Sequence, residues 1–194
     1  MTVGQISEAT LASNTNATKF LNAINATCTR FDISTPIRQL CFLAQVGHES
    51  GGLFFTEELA SGAAYEGRKN LGNVQPGDGV RFKGRGLIQI TGRANYLAVG
   101  NSLGIDLIKN PALLGGKNVS KCTPEQLMNA ALSAGWYWNS RKLNTIADLI
   151  NITKPIDAGA NLANYVLLTK KINGGTNGLA DRLSRYKHGV KFFN

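Results

Sequence analysis

Acidic residues are scarce in this chain: twelve Asp and Glu stand against 21 Lys and Arg among 194 residues, a formal net charge of +9. The chain therefore favours polyanionic partners such as nucleic acid, an anionic membrane or an acidic cell wall. Runs of five or six basic residues are absent, so the charge carries no nucleic-acid motif and no nucleic-acid partner is expected. No apolar run reaches the ~18 residues of a membrane span. Cysteine is limited to Cys28, Cys41 and Cys122, without CxxC or CxxH spacing, which argues against a disulfide framework and a zinc site. Histidine is limited to His48 and His188, which leaves little for any other metal, and neither metal nor cofactor is expected. Met1 to Thr10 is polar and lacks the basic-then-apolar order of a secretory signal, so the expected first location is a cytoplasm.

What is present reads as mainly α. Residues 17 to 27 carry Phe20, Leu21 and Ile24 at helical spacing. Thr35 as a cap and Pro36 at the first helical position predict a helix through His48. That helix is apolar over most of its circumference, which predicts a buried central helix. Its polar stripe holds Arg38, Gln45 and Glu49, and Gly51-Gly52 follows as a terminator. Leu53 to Gly92 is rich in Gly and broken by Pro76, a functional loop region with room for a small hairpin. Within it Val80 to Thr91 has the best strand character. Thr123-Pro124-Glu125-Gln126 is a capping box before a long helix with Leu127, Ala130, Ala131, Ala134 and Trp138 on one face. Further helices are predicted from Asn161 to Ile172, before Asn173-Gly174-Gly175, and from about Asp181 to Val190. No repeat or linker divides the chain, so one domain over 1–194 is expected, without a separate wall-binding domain and as a monomer.

Three of the scarce acids, Glu49, Glu57 and Glu58, fall within ten positions, and Glu66 follows. Paired carboxylates across a cleft are what glycoside hydrolysis requires, one holding a proton and the other activating water or attacking directly. The negative end of a helix and apolar surroundings both favour the protonated form, which suits Glu49 to the acid. The competing reading is a solvated Glu at a fraying helix end. His48, beside it, reads as a hydrogen-bonded core residue fixing the helix end. In Gly84-Arg85-Gly86-Leu87-Ile88-Gln89-Ile90-Thr91, alternation puts Leu87, Gln89 and Thr91 on one face, so Gln89 and Thr91 can offer polar groups to a sugar or water. Trp136-Tyr137-Trp138 reads as core more than as a sugar-stacking platform.

Together these segments resemble glycoside hydrolase family 19, the plant-type chitinases and related phage endolysins. Phe42 to Gln45 with His48-Glu49-Ser50-Gly51-Gly52 is similar to the catalytic-acid segment. Gly84 to Thr91, continuing to Asn95-Tyr96, is similar to the signature strand and turn. Ile172 to Gly175, and Asp181-Arg182 with Tyr186, resemble the closing cleft segments. The resemblance implies a mainly α (α+β), two-lobed lysozyme-like fold with a small β-hairpin region and a central cleft. It implies inverting cleavage of β-1,4 links beside N-acetylated sugars, with Glu49 as acid, Gln89 and Thr91 placing the water, and Asn95, Tyr96, Asn173 and Arg182 lining the cleft. For the base, Glu58 leads, with Glu57 and Glu66 as alternatives. Positive charge and the absence of a leader or disulfides favour an endolysin hydrolysing bacterial peptidoglycan as a muramidase, the alternative being a chitinase. Such a protein is expected to wait in the infected bacterial cytoplasm and reach the wall through a membrane pore, with possible contact to anionic envelope components.

Overall fold

A computed structural model describes residues 1–193. Among these, the chain forms nine α-helices joined by turns and short 3-10 segments. They are α1 (Val3–Thr10), α2 (Asn14–Arg30), α3 (Pro36–Glu49), α4 (Asp78–Arg81), α5 (Arg93–Leu103), α6 (Pro124–Ser140), α7 (Leu143–Ala147), α8 (Gly159–Asn173) and α9 (Leu179–Gly189). The mainly α reading holds, and no helix is long and apolar enough to cross a membrane.

The α3 helix is the central one. Thr35 accepts a hydrogen bond from the Arg38 amide, Pro36 opens the helix, and Leu40 through Gly47 are all buried. The α1 and α9 helices pack on it, and α2 pairs with α6 beside it. Thr123 and Gln126 close the expected capping box at the start of α6, and Trp138 packs edge-on against Phe42 at 5.5 Å. Its indole nitrogen donates to Asn144 at 2.8 Å, so Trp138 is core. All three cysteines are free thiols, and burial pushes Cys28 up to about 12. Residues 53–122 hold α4 and α5, and they pack on α6 through α5 and the 3-10 turn at Pro111–Leu114.

The strand expected over Val80 to Thr91 is replaced by other structure. Val80 and Arg81 belong to α4. Beyond them, only two isolated bridges form among the described residues, Glu57 with Arg85 and Arg85 with Ile90. Arg85 and Ile90 exchange both backbone hydrogen bonds, at 3.1 and 2.8 Å, so residues 86 to 89 are the tip of a one-rung hairpin. Alternation cannot apply at such a tip. Leu87, Ile88 and Ile90 are all buried, because the Leu87 amide bonds to Ala130 on α6 and the apolar side chains follow it into the core. Gln89 is left half-buried with φ of 56°.

Candidate active site

Glu49 is the last residue of α3. Ser50 caps the helix, donating to Val46 at 2.7 Å and accepting from the Leu53 amide at 2.9 Å, so this end is held rather than frayed. The apolar surroundings expected for Glu49 are absent. Its carboxylate is ion-paired with the guanidinium of Arg182, which also bonds Gln45. Gln45 in turn donates to Thr169 on α8 at 3.1 Å, and Tyr165 donates to the Arg182 carbonyl at 2.9 Å. The polar stripe on α3 therefore has an address: Gln45 and Glu49 both face a buried arginine contributed by α9. Arg182 is 1% exposed, so it does not line a cleft as expected from the sequence but holds Glu49 from beneath.

His48 faces the same helix end. Its Nδ1 lies 2.6 Å from Asp181, which also accepts from Arg185 at 2.7 Å. Burial works against the charge on Asp181, but these two partners overcome it and hold the carboxylate below its ordinary range. The structural role read for His48 matches this arrangement, with a side chain 29% exposed rather than fully buried.

The remaining acids separate by their partners. Glu57 is clamped by Lys83 at 2.8 Å and Arg85 at 2.7 Å. Burial opposes its charge, but these hydrogen bonds prevail and keep it below the ordinary carboxylate range. Glu66 accepts the Gly77 and Gly79 amides, each at 2.7 Å, and so pins the loop before α4. Glu58 differs from both. Its Oε2 accepts from the Tyr65 hydroxyl at 2.9 Å, whereas its Oε1 is buried with no hydrogen-bond partner.

Gly84 joins Glu58 to Gln89. The Glu58 amide donates to the Gly84 carbonyl at 2.9 Å. A Cβ at Gly84 would stand 2.7 Å from Gln89 Oε1 and 3.3 Å from Glu58 Oε2, so both side chains crowd one bare Cα. Gln89 Nε2 donates to the Gly86 carbonyl at 3.2 Å, which aims its oxygen back toward Gly84. Thr91 donates to the Gln89 carbonyl at 2.9 Å, and exposed Asn95 donates to the Thr91 carbonyl at 2.7 Å. Glu58, Gln89, Thr91 and Asn95 thus form one connected group. Tyr96 is not part of its surface. It is fully buried against Phe82, donates to the Lys83 carbonyl at 2.6 Å and accepts from Arg85 at 3.1 Å. The sequence reading placed it in a turn, but it lies on the inner face of α5 and anchors the Lys83–Arg85 segment.

The α6 helix relates this group to Glu49. Gly86 packs on Ser133 and Ala130 of that helix. One helical face further on, Tyr137 donates to the Ile172 carbonyl at 2.6 Å, beside Asn173. Burial pushes the Tyr137 hydroxyl up, Arg141 opposes it, and Glu49 adds to the rise against Arg182. Seven residues of helix, from Ala130 to Tyr137, span about 10 Å. Asn173 is half-exposed, its side chain bonded to the Gly175 amide and the Asn177 carbonyl, each at 2.8 Å. Sequence reasoning missed Tyr65 and the close approach at Gly84 and read Tyr137 as core, because contacts made only in the folded chain define all three. Among the described residues no three His, Cys, Asp or Glu side chains gather as a metal site would need.

Comparison with known proteins adds to this geometry. The model of glycoside hydrolase family 19, described as chitinase class I, matches residues 16–193. A glycosyl hydrolase family 19 domain-containing protein of Haemophilus influenzae is 30% identical over 196 residues, covering 85% of this chain and 84% of that protein. An Arabidopsis thaliana endochitinase is 32% identical over 133 residues, which is 69% of this chain but only 38% of that protein's length. Among solved structures, chitinase C from Streptomyces griseus superimposes with a TM-score of 0.64 at 25% identity, covering 99% of this chain and 76% of that one.

Proposed function

The chain belongs to glycoside hydrolase family 19, and from that premise we propose that it cleaves the β-1,4-linked glycan of bacterial peptidoglycan as a muramidase. Glu49 protonates the leaving glycosidic oxygen, and Glu58 takes a proton from water attacking the opposite face of the ring, which inverts the anomeric carbon. Gln89 and Thr91 orient that water, while Asn95 and Asn173 contact the flanking sugars. One observation carries the assignment of the base: of Glu57, Glu58 and Glu66, only Glu58 keeps a carboxylate oxygen without a partner. The Arg182 guanidinium compensates the carboxylate that Glu49 becomes once it has protonated the sugar oxygen.

The surplus of positive charge supports an acidic wall polymer as substrate. The named chitinases among the relatives support the alternative, a neutral polymer of N-acetylglucosamine. Purified protein, given peptidoglycan and soluble chitin side by side, is expected to turn over the former faster. Mass spectrometry of the digest should show N-acetylmuramic acid at the new reducing end, and Glu49→Gln should abolish its appearance. New reducing ends of N-acetylglucosamine alone, or new free amino groups, would reject the muramidase. On this reading the protein waits in a host bacterial cytoplasm until a membrane pore releases it to the wall. Cells expressing it should then remain intact until the inner membrane is permeabilised, and lysis by expression alone would reject that route.

A further inference from the structure

Among the described residues, the Glu58 carboxylate has one hydrogen-bond partner, the Tyr65 hydroxyl, which donates to Oε2 at 2.9 Å. The neighbouring Glu57 is held by two cations instead. A cation favours the charged carboxylate and so weakens it as a base; a neutral hydroxyl orients it with less of that effect. The last torsion of a glutamate is broad, so a carboxylate with no partner has no fixed plane, and one donor is enough to set it. Burial pushes the Tyr65 hydroxyl up and the bond to Glu58 adds to the rise, so the phenol keeps its proton and remains a donor at neutral pH.

The chain around Tyr65 fixes where that hydroxyl stands. Tyr65 ends a 3-10 turn over Ala63–Tyr65, and its amide donates to the Gly62 carbonyl at 2.9 Å. Its carbonyl accepts from Asn73 Nδ2 at 2.9 Å. Asn73 is fully buried, and its Oδ1 accepts from the Arg93 amide at 2.8 Å, two residues beyond Thr91. Close backbone approaches hold the segment at both ends. A Cβ on Gly62 would stand 2.5 Å from the Gly79 carbonyl oxygen, and one on Gly92 would stand 2.6 Å from Leu71 Cβ. Tyr65 is thereby tied to the backbone that carries Thr91. None of these ties uses the phenol hydroxyl, which is spent on Glu58 alone.

We infer that Tyr65 is a positioning residue for the general base: it holds Glu58 by Oε2, beside the bare Cα of Gly84, and leaves Oε1 as the atom that receives the proton of the attacking water. The inference rests on Glu58 as the base and deepens that part of the proposed function. Tyr65 acts on the carboxylate and not on the sugar, so its effect is the same on peptidoglycan and on chitin.

Tyr65→Phe keeps the ring and every backbone tie and removes only the donor. Assayed on peptidoglycan and on glycol chitin, it should lower kcat about tenfold and leave KM within about twofold. Its thermal midpoint should stay within about 3 °C of wild type. The decisive reading is the double variant. Because Tyr65 works through Glu58, Tyr65→Phe should add less than about twofold to the loss already caused by Glu58→Gln. A wild-type kcat in Tyr65→Phe beside a slow Glu58→Gln, a loss carried by KM, or losses that multiply in the double variant would each overturn the inference and leave the base in place. Undiminished turnover by Glu58→Gln would instead overturn the base assignment, and the role of Tyr65 with it.

Discussion

A base that removes a proton from water needs an oxygen free to receive it, and the neighbours Glu57 and Glu58 differ in that respect. Both oxygens of Glu57 are taken by cations, and both oxygens of Glu66 by amides. Only Glu58 Oε1, a buried atom, is left without a hydrogen-bond partner. Replacing Glu58 by Gln should lower kcat by about two to four orders of magnitude with the thermal midpoint nearly unchanged. Glu57→Gln should do the reverse: it leaves Lys83 and Arg85 without compensation, so stability falls and kcat changes far less. Glu66→Gln should loosen the loop before α4 and also act on stability. Kinetics and thermal melts on the three variants would separate these roles, and a Glu57 variant with the larger kcat loss would move the base to that residue. Glu49→Gln carries both signatures, because it removes the proton donor and also the countercharge of Arg182, which is buried.

At the scale of elements, the turn from Gly84 to Thr91 sets the water side of the site, and its shape depends on a missing side chain. An added methyl at Gly84 meets the Gln89 amide oxygen first and Glu58 next. Gly84→Ala should therefore swing Gln89 aside, costing about tenfold or more in kcat from misplacement of the water, while the flexible end of Gln89 absorbs the clash with little loss of stability. An unchanged kcat would remove Gln89 from the site. This turn also marks where the sequence was legible. Its composition and apolar residues announced an ordered segment, but alternation is a rule for strands, and the one-rung tip buries Leu87, Ile88 and Ile90 alike. The α3 and α6 helices were readable because Thr35-Pro36 and Thr123-Pro124 mark their starts. The α5 helix begins after Gly92 with no side-chain cap, which is why Tyr96 was read as part of a turn. The α1 helix is short and its Thr2–Gln5 capping box precedes no apolar run, so its burial of Ile6 and Ala9 shows only in three dimensions. Glu49, Gln89 and Thr91 were legible as residue types in a pattern. The burial of Arg182 was not, because it follows from α9 packing across α3.

For the molecule as a whole, the scarce acids are tied up in the fold, Glu57 and Asp181 by two cations each and Asp32, Glu49, Asp78, Asp148 and Asp157 by one, and the fold should fail in acid as they protonate. The Arg93 hydrogen bonds hold Asp78 below its ordinary range; burial opposes the charge on Glu57 and Asp181, but their cationic partners prevail. Ser34 and Arg38 lower Asp32, and Lys187 lowers Asp157. A carboxylate lowered in the folded state adds stability that is complete above its unfolded pKa, about 4, and disappears as pH falls through the lower folded value. The thermal midpoint should therefore stay level from about pH 8 to 5 and drop by more than about 6 °C between about pH 4 and 2. Two effects act together there, since every protonated acid also adds to a net charge of +9 that already repels itself. Added salt should soften the fall by screening the repulsion, without shifting the carboxylate titrations by as much. Asp78→Asn should lower the midpoint at neutral pH and flatten its dependence below pH 4, because the group that titrates is gone. A midpoint that instead declines between pH 7 and 5 would show that the lowered carboxylates are not what limits the fold in acid.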